Sequence, residues 1–370
     1  MTSFEYPKEL ESWGYSEAWH HRFESAAAEG SFPARVVRDH RGYFRVHTAK
    51  GELIATTAGR LKHNALHASD LPAVGDFVAL KEVREEGHRH GRGVIQTVLP
   101  RTTAFKRKAA GHLTEEQIVA ANIDTVFIVC GLDSDYSPRR VERYLILARE
   151  SGARAVVLLN KSDKCADSSK PLGEVAVMAG DSPVHLIAAK PRLGLEVLPA
   201  YLGRGDTIAF LGSSGAGKST LINALLGEER QATREVREAD SKGRHTTTER
   251  QMFRLAGGAL AIDTPGMREL QLWSSAEDIS GAFSDIEALA EKCRFRDCTH
   301  QTEPLCAVRE AAESGALNAE RYSHFSKLRG EAAAVGQLRD VKARIEKKAA
   351  DRRGSKSMKA VQAIKKAPAR

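Results

Sequence analysis

Ile208-Ala-Phe-Leu-Gly-Ser-Ser-Gly-Ala-Gly-Lys-Ser-Thr-Leu-Ile-Asn-Ala-Leu-Leu226 decides how this chain is read. Its first four residues are an apolar run that ends a strand, Thr207–Leu211, and Gly217–Leu226 has the pattern of a helix. Between them, Gly212-Ser213-Ser214-Gly215-Ala216-Gly217-Lys218-Ser219 fits the pattern G-x4-G-K-S, with Thr220 next in the chain. The glycines let backbone N–H groups converge on an anion at the positive end of a helix. Lys218 is then placed to neutralise phosphate oxygens, and the Ser219 hydroxyl to ligate Mg²⁺. A Gly/Ser-rich turn without a ligand is the alternative, and the Lys-Ser pair with its two flanks argues against it.

Upstream, Asn160-Lys161-Ser162-Asp163 ends the apolar run Ala155–Leu159. The Asp163 carboxylate can accept the N1–H and N2–H₂ donors of guanine, which adenine does not offer, so a site built on those bonds selects guanine. Leu186-Ile-Ala-Ala-Lys190 ends another strand and offers backbone to the base, with Ala188 where such sites commonly carry a serine. Downstream, Leu260-Ala-Ile-Asp263-Thr-Pro-Gly266 is an apolar strand ending in a carboxylate. Asp263 is expected to hold a Mg²⁺-bound water, and the Gly266 N–H to face a γ-phosphate.

The polar segment between them ends in Gly243-Arg-His245-Thr-Thr247-Thr248. Thr247 is the candidate to complete the Mg²⁺ shell, which would make this loop a switch ordered by the γ-phosphate. The alternative is a Thr-rich loop that simply begins a strand. The expected ligands are therefore GTP or GDP with Mg²⁺. Ras-like proteins place a water-orienting glutamine after the switch glycine, and here that residue is Met267. Intrinsic hydrolysis is accordingly expected to be slow. His245 is the candidate catalytic residue, with a solvated loop histidine as the rival reading.

The guanine-reading motif precedes the phosphate loop, the reverse of the usual order. One pocket can hold both only if the fold is circularly permuted. In such a fold the chain continues from its switch strand, so the C-terminal portion is attached to the part that moves.

That C-terminal portion includes Cys293-x4-Cys298-x-His300-x5-Cys306. Three sulfurs and one imidazole make a closed tetrahedral set suited to one structural Zn²⁺. Lys292, Arg294, Arg296 and Asp297 among them argue against cysteines buried as small hydrophobes. Redox or core thiols are the remaining alternatives. Five cysteines, an odd number clustered in this way, suit a reducing compartment better than a disulfide frame.

Before the nucleotide motifs, five short β-branched runs, Ala34–Arg38, Tyr43–Thr48, Glu52–Thr57, Asp76–Val83 and Gly93–Leu99, suggest a small barrel of OB type. Residues 1–30 have a helical pattern in which Trp13, Trp19 and Phe23 can share an apolar face, and Arg101–His112 has the composition of a linker. Strand candidates Ile123–Val129, Ala155–Leu159, Val184–Ala188 and Ala259–Ile262 alternate with helices such as Arg139–Ser151. That alternation predicts a mainly parallel sheet. The fold class is thus multidomain α/β, comprising an N-terminal OB-type β-barrel, a circularly permuted P-loop GTPase domain and a C-terminal helical zinc-binding domain. The expected boundaries are 1–32 for a helical extension, 33–107 for the barrel, 112–273 for the GTPase domain, 274–337 for the zinc domain and 338–370 for a basic tail.

The net charge of +8 is concentrated in that tail, where residues 339–370 carry twelve Lys/Arg against three Asp/Glu. Such an arm can neutralise phosphates at long reach, or simply keep the protein solvated. No apolar run approaches membrane-spanning length, the opening Met1–Glu5 has no secretory pattern, and no heptad suggests anything but a monomer.

Taken in order, the barrel, Ala121-Asn-Ile-Asp124, Asn160–Asp163, Gly212–Thr220, Gly243–Thr248, Asp263–Gly266 and the cysteine cluster resemble the circularly permuted, small-subunit-dependent GTPases of the bacterial RsgA family. The resemblance covers roughly residues 33–327. It implies a cytoplasmic GTPase acting in late maturation of the small (30S) ribosomal subunit. Hydrolysis would be stimulated by that subunit and coupled to the departure of other assembly factors. It also implies that the barrel and zinc domain grip ribosomal RNA and that His245 assists hydrolysis. Two other classes stay open on the residues alone. One is an RNA-binding scaffold stabilised by nucleotide, which would bind RNA regardless of nucleotide state. The other is a small-metabolite kinase, which would yield a phosphorylated product rather than free phosphate.

Overall fold

A computed structural model of the chain describes residues 5–40, 42–83, 92–108, 116–227, 250–263, 279, 283–334 and 336–337. Contacts divide the chain into two compact units. The first holds residues 1–107 and 116–272 with 281–283; the second is built mainly from 284–370.

The first unit contains a closed barrel. Strands β1 (Phe32–His40), β2 (Tyr43–Thr48), β3 (Gly51–Thr57), β4 (Phe77–Val83) and β5 (Arg92–Val98) pair in the cyclic order 1-2-3-5-4-1. Only the β3–β5 pair is parallel. A short helix, Gly59–Asn64, bridges β3 and β4. Alternation along β2, with Phe44, Val46 and Thr48 buried between exposed Tyr43 and Arg45, is the period-2 signature of a sheet with one dry face. The barrel core is Ala34, Val36, Phe44, Val46, Ala55, Val78, Leu80 and Ile95. The five expected strands are all present, with ends shifted by a residue or two.

The expected linker is not one. Ala104–Lys108 forms a strand, β6, that pairs with β7 (Glu116–Ala121), and the pair is stitched by Lys106–Glu116 and by Arg107 donating to Gln117. The basic composition of this stretch disguised it, because its partner strand supplies the compensating polar groups.

Beyond it, β8 (Thr125–Gly131), β9 (Arg154–Asn160), β10 (Val184–Leu186), β11 (Thr207–Leu211), β12 (Arg250–Arg254) and β13 (Leu260–Asp263) form a sheet in the order 10-9-8-11-13-12. All pairs are parallel except β12–β13. The helix Pro138–Ser151 has proline in its first turn and ends at left-handed Gly152, matching the usual start and stop chemistry. Phe127, Val129, Val156, Leu158, Ile208, Phe210 and Leu221 lie at the centre of this core. β8 is buried at every position, as a central parallel strand must be.

β12, which the sequence patterns did not single out, joins the two sheets. It lies antiparallel to β13 and also to β1 of the barrel, through Arg38↔Gln251 and Asp39↔Arg250. One continuous sheet of eleven strands results.

The N-terminal segment is helical as expected, but in two pieces: a 3-10 turn at Lys8–Trp13 and a helix at Glu17–Ala26. Gly14 separates them, so Trp13 does not share a helix face with Trp19 and Phe23. It packs instead, tilted, on His47 at 4.3 Å between ring centroids, while Trp19 packs on Phe77.

In the second unit, helices span Ser284–Ala290, Ala307–Glu313 and residues 319–334, with the cysteine cluster between the first two. The basic tail 338–370 lies outside the described residues. Among the described residues no helix is long and apolar enough to cross a membrane.

Candidate functional site

Parallel pairing of β11 with β8, and of β8 with β9, brings their C-terminal ends to one edge of the sheet. The loop Gly212–Gly217 leaves β11 there, and Asn160–Asp163 leaves β9 two strands away. Motifs separated in the chain and reversed in order therefore open at the same edge.

Asn160 fastens them. Its side chain is buried, with Nδ2 donating to Ala216 O at 2.8 Å and Oδ1 accepting from Ala189 N at 2.9 Å. One amide thus ties the phosphate loop to the Leu186–Lys190 segment. Gly217, at φ 99°, shows why no side chain is tolerated there: a Cβ would lie 2.1 Å from Asn160 Nδ2. Ala188 and Ala189 are buried beneath this junction.

Lys161 adopts a left-handed conformation (φ 64°), uncommon for a residue with a Cβ. Its ammonium pairs with Asp133 in the loop after β8. The next residues form a 3-10 turn, Ser162–Lys164, pinned by Ser162 N to Ile187 O at 3.1 Å, and Asp163 is exposed at its centre. The phosphate loop is anchored on its other flank. The Ser213 hydroxyl donates to Asp135, which also receives Arg140 Nη1 at 2.9 Å on each carboxylate oxygen.

Those bonds hold the Asp135 carboxyl below its ordinary range, the Ser213 hydroxyl contributing most and Arg140 next. The bond from Lys161 does the same for Asp133. Asp133 and Asp135 are the site residues that motif reading missed. The only signal was their position just past the end of a buried strand.

Lys218 opens the helix Lys218–Leu226, and its Nζ donates to Gly212 O at 2.7 Å and Ser213 O at 2.6 Å. These bonds keep the ammonium curled over the mouth of the loop, beside the N–H groups at the helix start. Ser214 and Gly215 are exposed at the tip and Ala216 is buried behind it; Ser219 and Thr220 lie half-buried in the first turn. The backbone of Asp263 ends β13, next to β11 in the sheet. His245, Thr247 and Gly266 lie outside the described residues.

The second unit holds a separate constellation. The donor atoms of Cys293, Cys298, His300 and Cys306 all lie within 4.8 Å of one another. His300 Nδ1 is 3.6 Å from Cys293 Sγ and 3.4 Å from Cys306 Sγ, and the two sulfurs are 3.9 Å apart. Bonds of about 2.3 Å to sulfur and about 2.0–2.1 Å to nitrogen around a tetrahedral ion place donors roughly 3.5–3.8 Å apart. The donor set fits Zn²⁺ in number and type, and the separations among Cys293, His300 and Cys306 are close to that spacing.

The loop is shaped for this. His300 and Leu305 take left-handed conformations, and the Glu303 carboxylate gathers Thr299 N, Thr299 Oγ1, Gln301 N and Thr302 N. Those donors lower the Glu303 carboxyl to about 2. Behind the cluster, Phe325 packs on His300 and Tyr322 Oη donates to its carbonyl.

Comparison with known proteins places this geometry in context. Residues 98–273 match the family model described as RsgA GTPase. A protein of Opitutus terrae named "Small ribosomal subunit biogenesis GTPase RsgA" is 47% identical over 345 residues, covering 91% of this chain and 94% of that one. A protein of the same name from Syntrophotalea carbinolica is 41% identical over 343 residues, covering 90% and 93%. Among solved structures, YjeQ from Thermotoga maritima aligns with a TM-score of 0.58 at 27% identity, covering 82% of this chain and 99% of that chain. YloQ, described as a circularly permuted GTPase, aligns with a TM-score of 0.55 at 21% identity over 83% of this chain and 96% of that chain, a likeness of fold.

Proposed function

Because the chain belongs to the RsgA family and is a GTPase, we propose that it binds the small ribosomal subunit and assists its late maturation. Intrinsic GTP hydrolysis is slow on this reading. The subunit accelerates it, and hydrolysis is coupled to release of other assembly factors in the cytoplasm. The observation that carries the nucleotide half is the Asn160 amide, which bonds the guanine-reading turn to the phosphate loop across the permutation.

The roles derive from position. Exposed Asp163 accepts the guanine donors, and the stem of Lys161, held by Asp133, lies beside the base. Asn160 and Ser162 hold the turn. The N–H groups of Ser213, Ser214, Gly215, Ala216, Gly217 and Lys218 face the phosphates, and the Lys218 ammonium exchanges loop carbonyls for phosphate oxygens. Thr220 extends the same helix start. Ser219, with Thr247 and Asp263, would hold Mg²⁺, which would supply charge neutralisation to the phosphates. Gly266 would sense the γ-phosphate, and His245 would orient the attacking water. Cys293, Cys298, His300 and Cys306 would hold one structural Zn²⁺, whose contribution is to the fold of its module.

Phosphate turnover measured with and without purified small subunits tests the proposal. Stimulation that saturates with subunit concentration and weakens steeply with salt is expected. A turnover rate indifferent to subunits at every concentration would overturn it.

A further inference from the structure

Asn122 and Asp124 of the Ala121–Asp124 stretch take no part in the site above. Neither does Arg35, an arginine only 2% exposed at the heart of the first unit. Arg35 and Asn122 meet in one buried junction, with exposed Asp124 at its edge. Arg35, on barrel strand β1, donates through Nη1 to Trp13 O at 2.5 Å, and through Nη2 to Thr207 Oγ1 at 2.8 Å and Asn122 O at 3.2 Å. Its guanidinium also lies 4.5 Å from the centre of the Phe77 ring, on which Tyr15 and Trp19 of the N-terminal segment pack. One side chain therefore touches the N-terminal segment, the barrel and the first residue of β11, the strand that ends at the phosphate loop.

The neighbours of Arg35 are held as firmly. Asn122 sits in a left-handed conformation (φ 54°), which asparagine tolerates better than most residues. Its Oδ1 accepts from Thr102 N and Thr102 Oγ1, and its Nδ2 donates to Gly75 O of the barrel at 3.0 Å. At Gly75 (φ 95°) a Cβ would lie 2.0 Å from Ala121 O, so the barrel backbone abuts this turn directly. Asp124 Oδ2 accepts Thr207 N at 2.7 Å, fixing the start of β11. Burial lowers the Arg35 guanidinium to about 10, the carboxylates of Asp124 and Asp76 opposing that fall. The three acceptors of this buried guanidinium come from three different segments.

β1 makes a second connection. Asp39, four residues beyond Arg35, lies opposite Arg250, the first described residue after the segment that holds His245 and Thr247. The same strand is thus joined to the one entering the phosphate loop and to the one leaving the candidate switch.

We propose that Arg35, braced by Asn122, is a positioning residue that couples the barrel rigidly to the nucleotide core, so that engagement of the barrel accelerates GTP hydrolysis. The inference rests on the subunit-stimulated reading above. Breaking the strut leaves the β1–β12 pairing in place and removes the buried link between β1 and the start of β11.

The experiment uses the full chain with Thr207→Val, which deletes only the hydroxyl acceptor, and Arg35→Met, which keeps the apolar stem. Basal turnover and GTP affinity are expected within about 2-fold of the parent, while turnover at saturating small subunits falls ~10-fold, about 1.4 kcal/mol of barrier. A merely structural role would lower the melting temperature without changing the ratio of stimulated to basal rate well below it. Full stimulation in folded Thr207→Val and Arg35→Met would overturn the proposal.

A second readout needs no subunits: the distance distribution between spin labels carried by unnatural residues at exposed positions 50 and 170. It is expected to be narrow in the parent and broad in both variants, and unchanged widths would also overturn the strut. Should the parent show no stimulation, the subunit reading fails, and the label distances still decide whether Arg35 joins the two halves rigidly.

Discussion

The phosphate loop and the cysteine loop are both short, irregular and built to surround a ligand, yet they are held in opposite ways. The phosphate loop is braced by protein: Asn160 holds Ala216 and Asp135 holds Ser213, and behind them stands the core around Phe127, Val129 and Leu221. The cysteine loop has the Glu303 cap and the Phe325 contact, but its four donors chiefly face one another. A pocket braced from outside keeps its shape when its ligand leaves. A knot of donors would need the ion, because without a cation its sulfurs take up protons and lose the bonds that draw the four together.

The largest expected effect breaks the second half of that comparison. Chelation, or Cys298→Ala, would remove the metal binding proposed for this loop, which contributes on the order of 10 kcal/mol to folding in small zinc modules. Protease sensitivity within residues 284–334 should rise sharply, with guanine nucleotide affinity unchanged; intact resistance after verified metal removal would end the contrast.

Next is Asp163→Asn. Replacing the proposed acceptor of two guanine donors should weaken GTP binding by ~10²-fold or more, and partly transfer preference to a xanthine nucleotide, whose C2 carbonyl accepts from the new amide. Equal affinity for GTP in a folded variant would remove Asp163 from the base contact.

Asn160→Ala probes the bracing itself. It strands Ala216 O and Ala189 N and should cost about 1–3 kcal/mol in denaturant unfolding of the first unit, with weaker nucleotide binding in parallel. A loss of affinity with no loss of stability would mean that Asn160 acts on the ligand alone.

The smallest effect concerns Asp135. Its carboxyl is depressed in the folded protein, so its contribution is complete above the ordinary carboxylate value near 4. It is lost as pH falls through the depressed folded value. Asp135→Asn should therefore lower stability slightly at neutral pH and flatten the acid limb, a difference readable by thermal melts from about pH 5 down to about pH 2. Parallel acid limbs for the two proteins would contradict the assigned cause.

Much of this architecture was legible in advance, and the reason is locality. A phosphate loop needs its glycines, lysine and hydroxyl within eight residues, and the four clustered Cys/His donors lie within fourteen. Barrel strands announce themselves by alternation, as in Phe44, Val46 and Thr48. The β6 strand was concealed by a run of cations whose partners lie on β7. β12 was concealed because only five residues of mixed polarity mark it. Asp133 and Asp135 fit no motif, since their partners Lys161 and Ser213 lie 28 and 78 residues away.

The sequence by itself determined that a permuted guanine-nucleotide site, a small barrel and a four-donor metal loop share one chain, because each rests on chemistry spaced within a single turn or strand. Only the tertiary structure decided that β1 runs beside β12 and that Arg35, 172 residues from Thr207, is spent on joining two domains. Pairing at that separation depends on which backbone groups are left to satisfy once local elements have formed, and no stretch of chain carries that information alone.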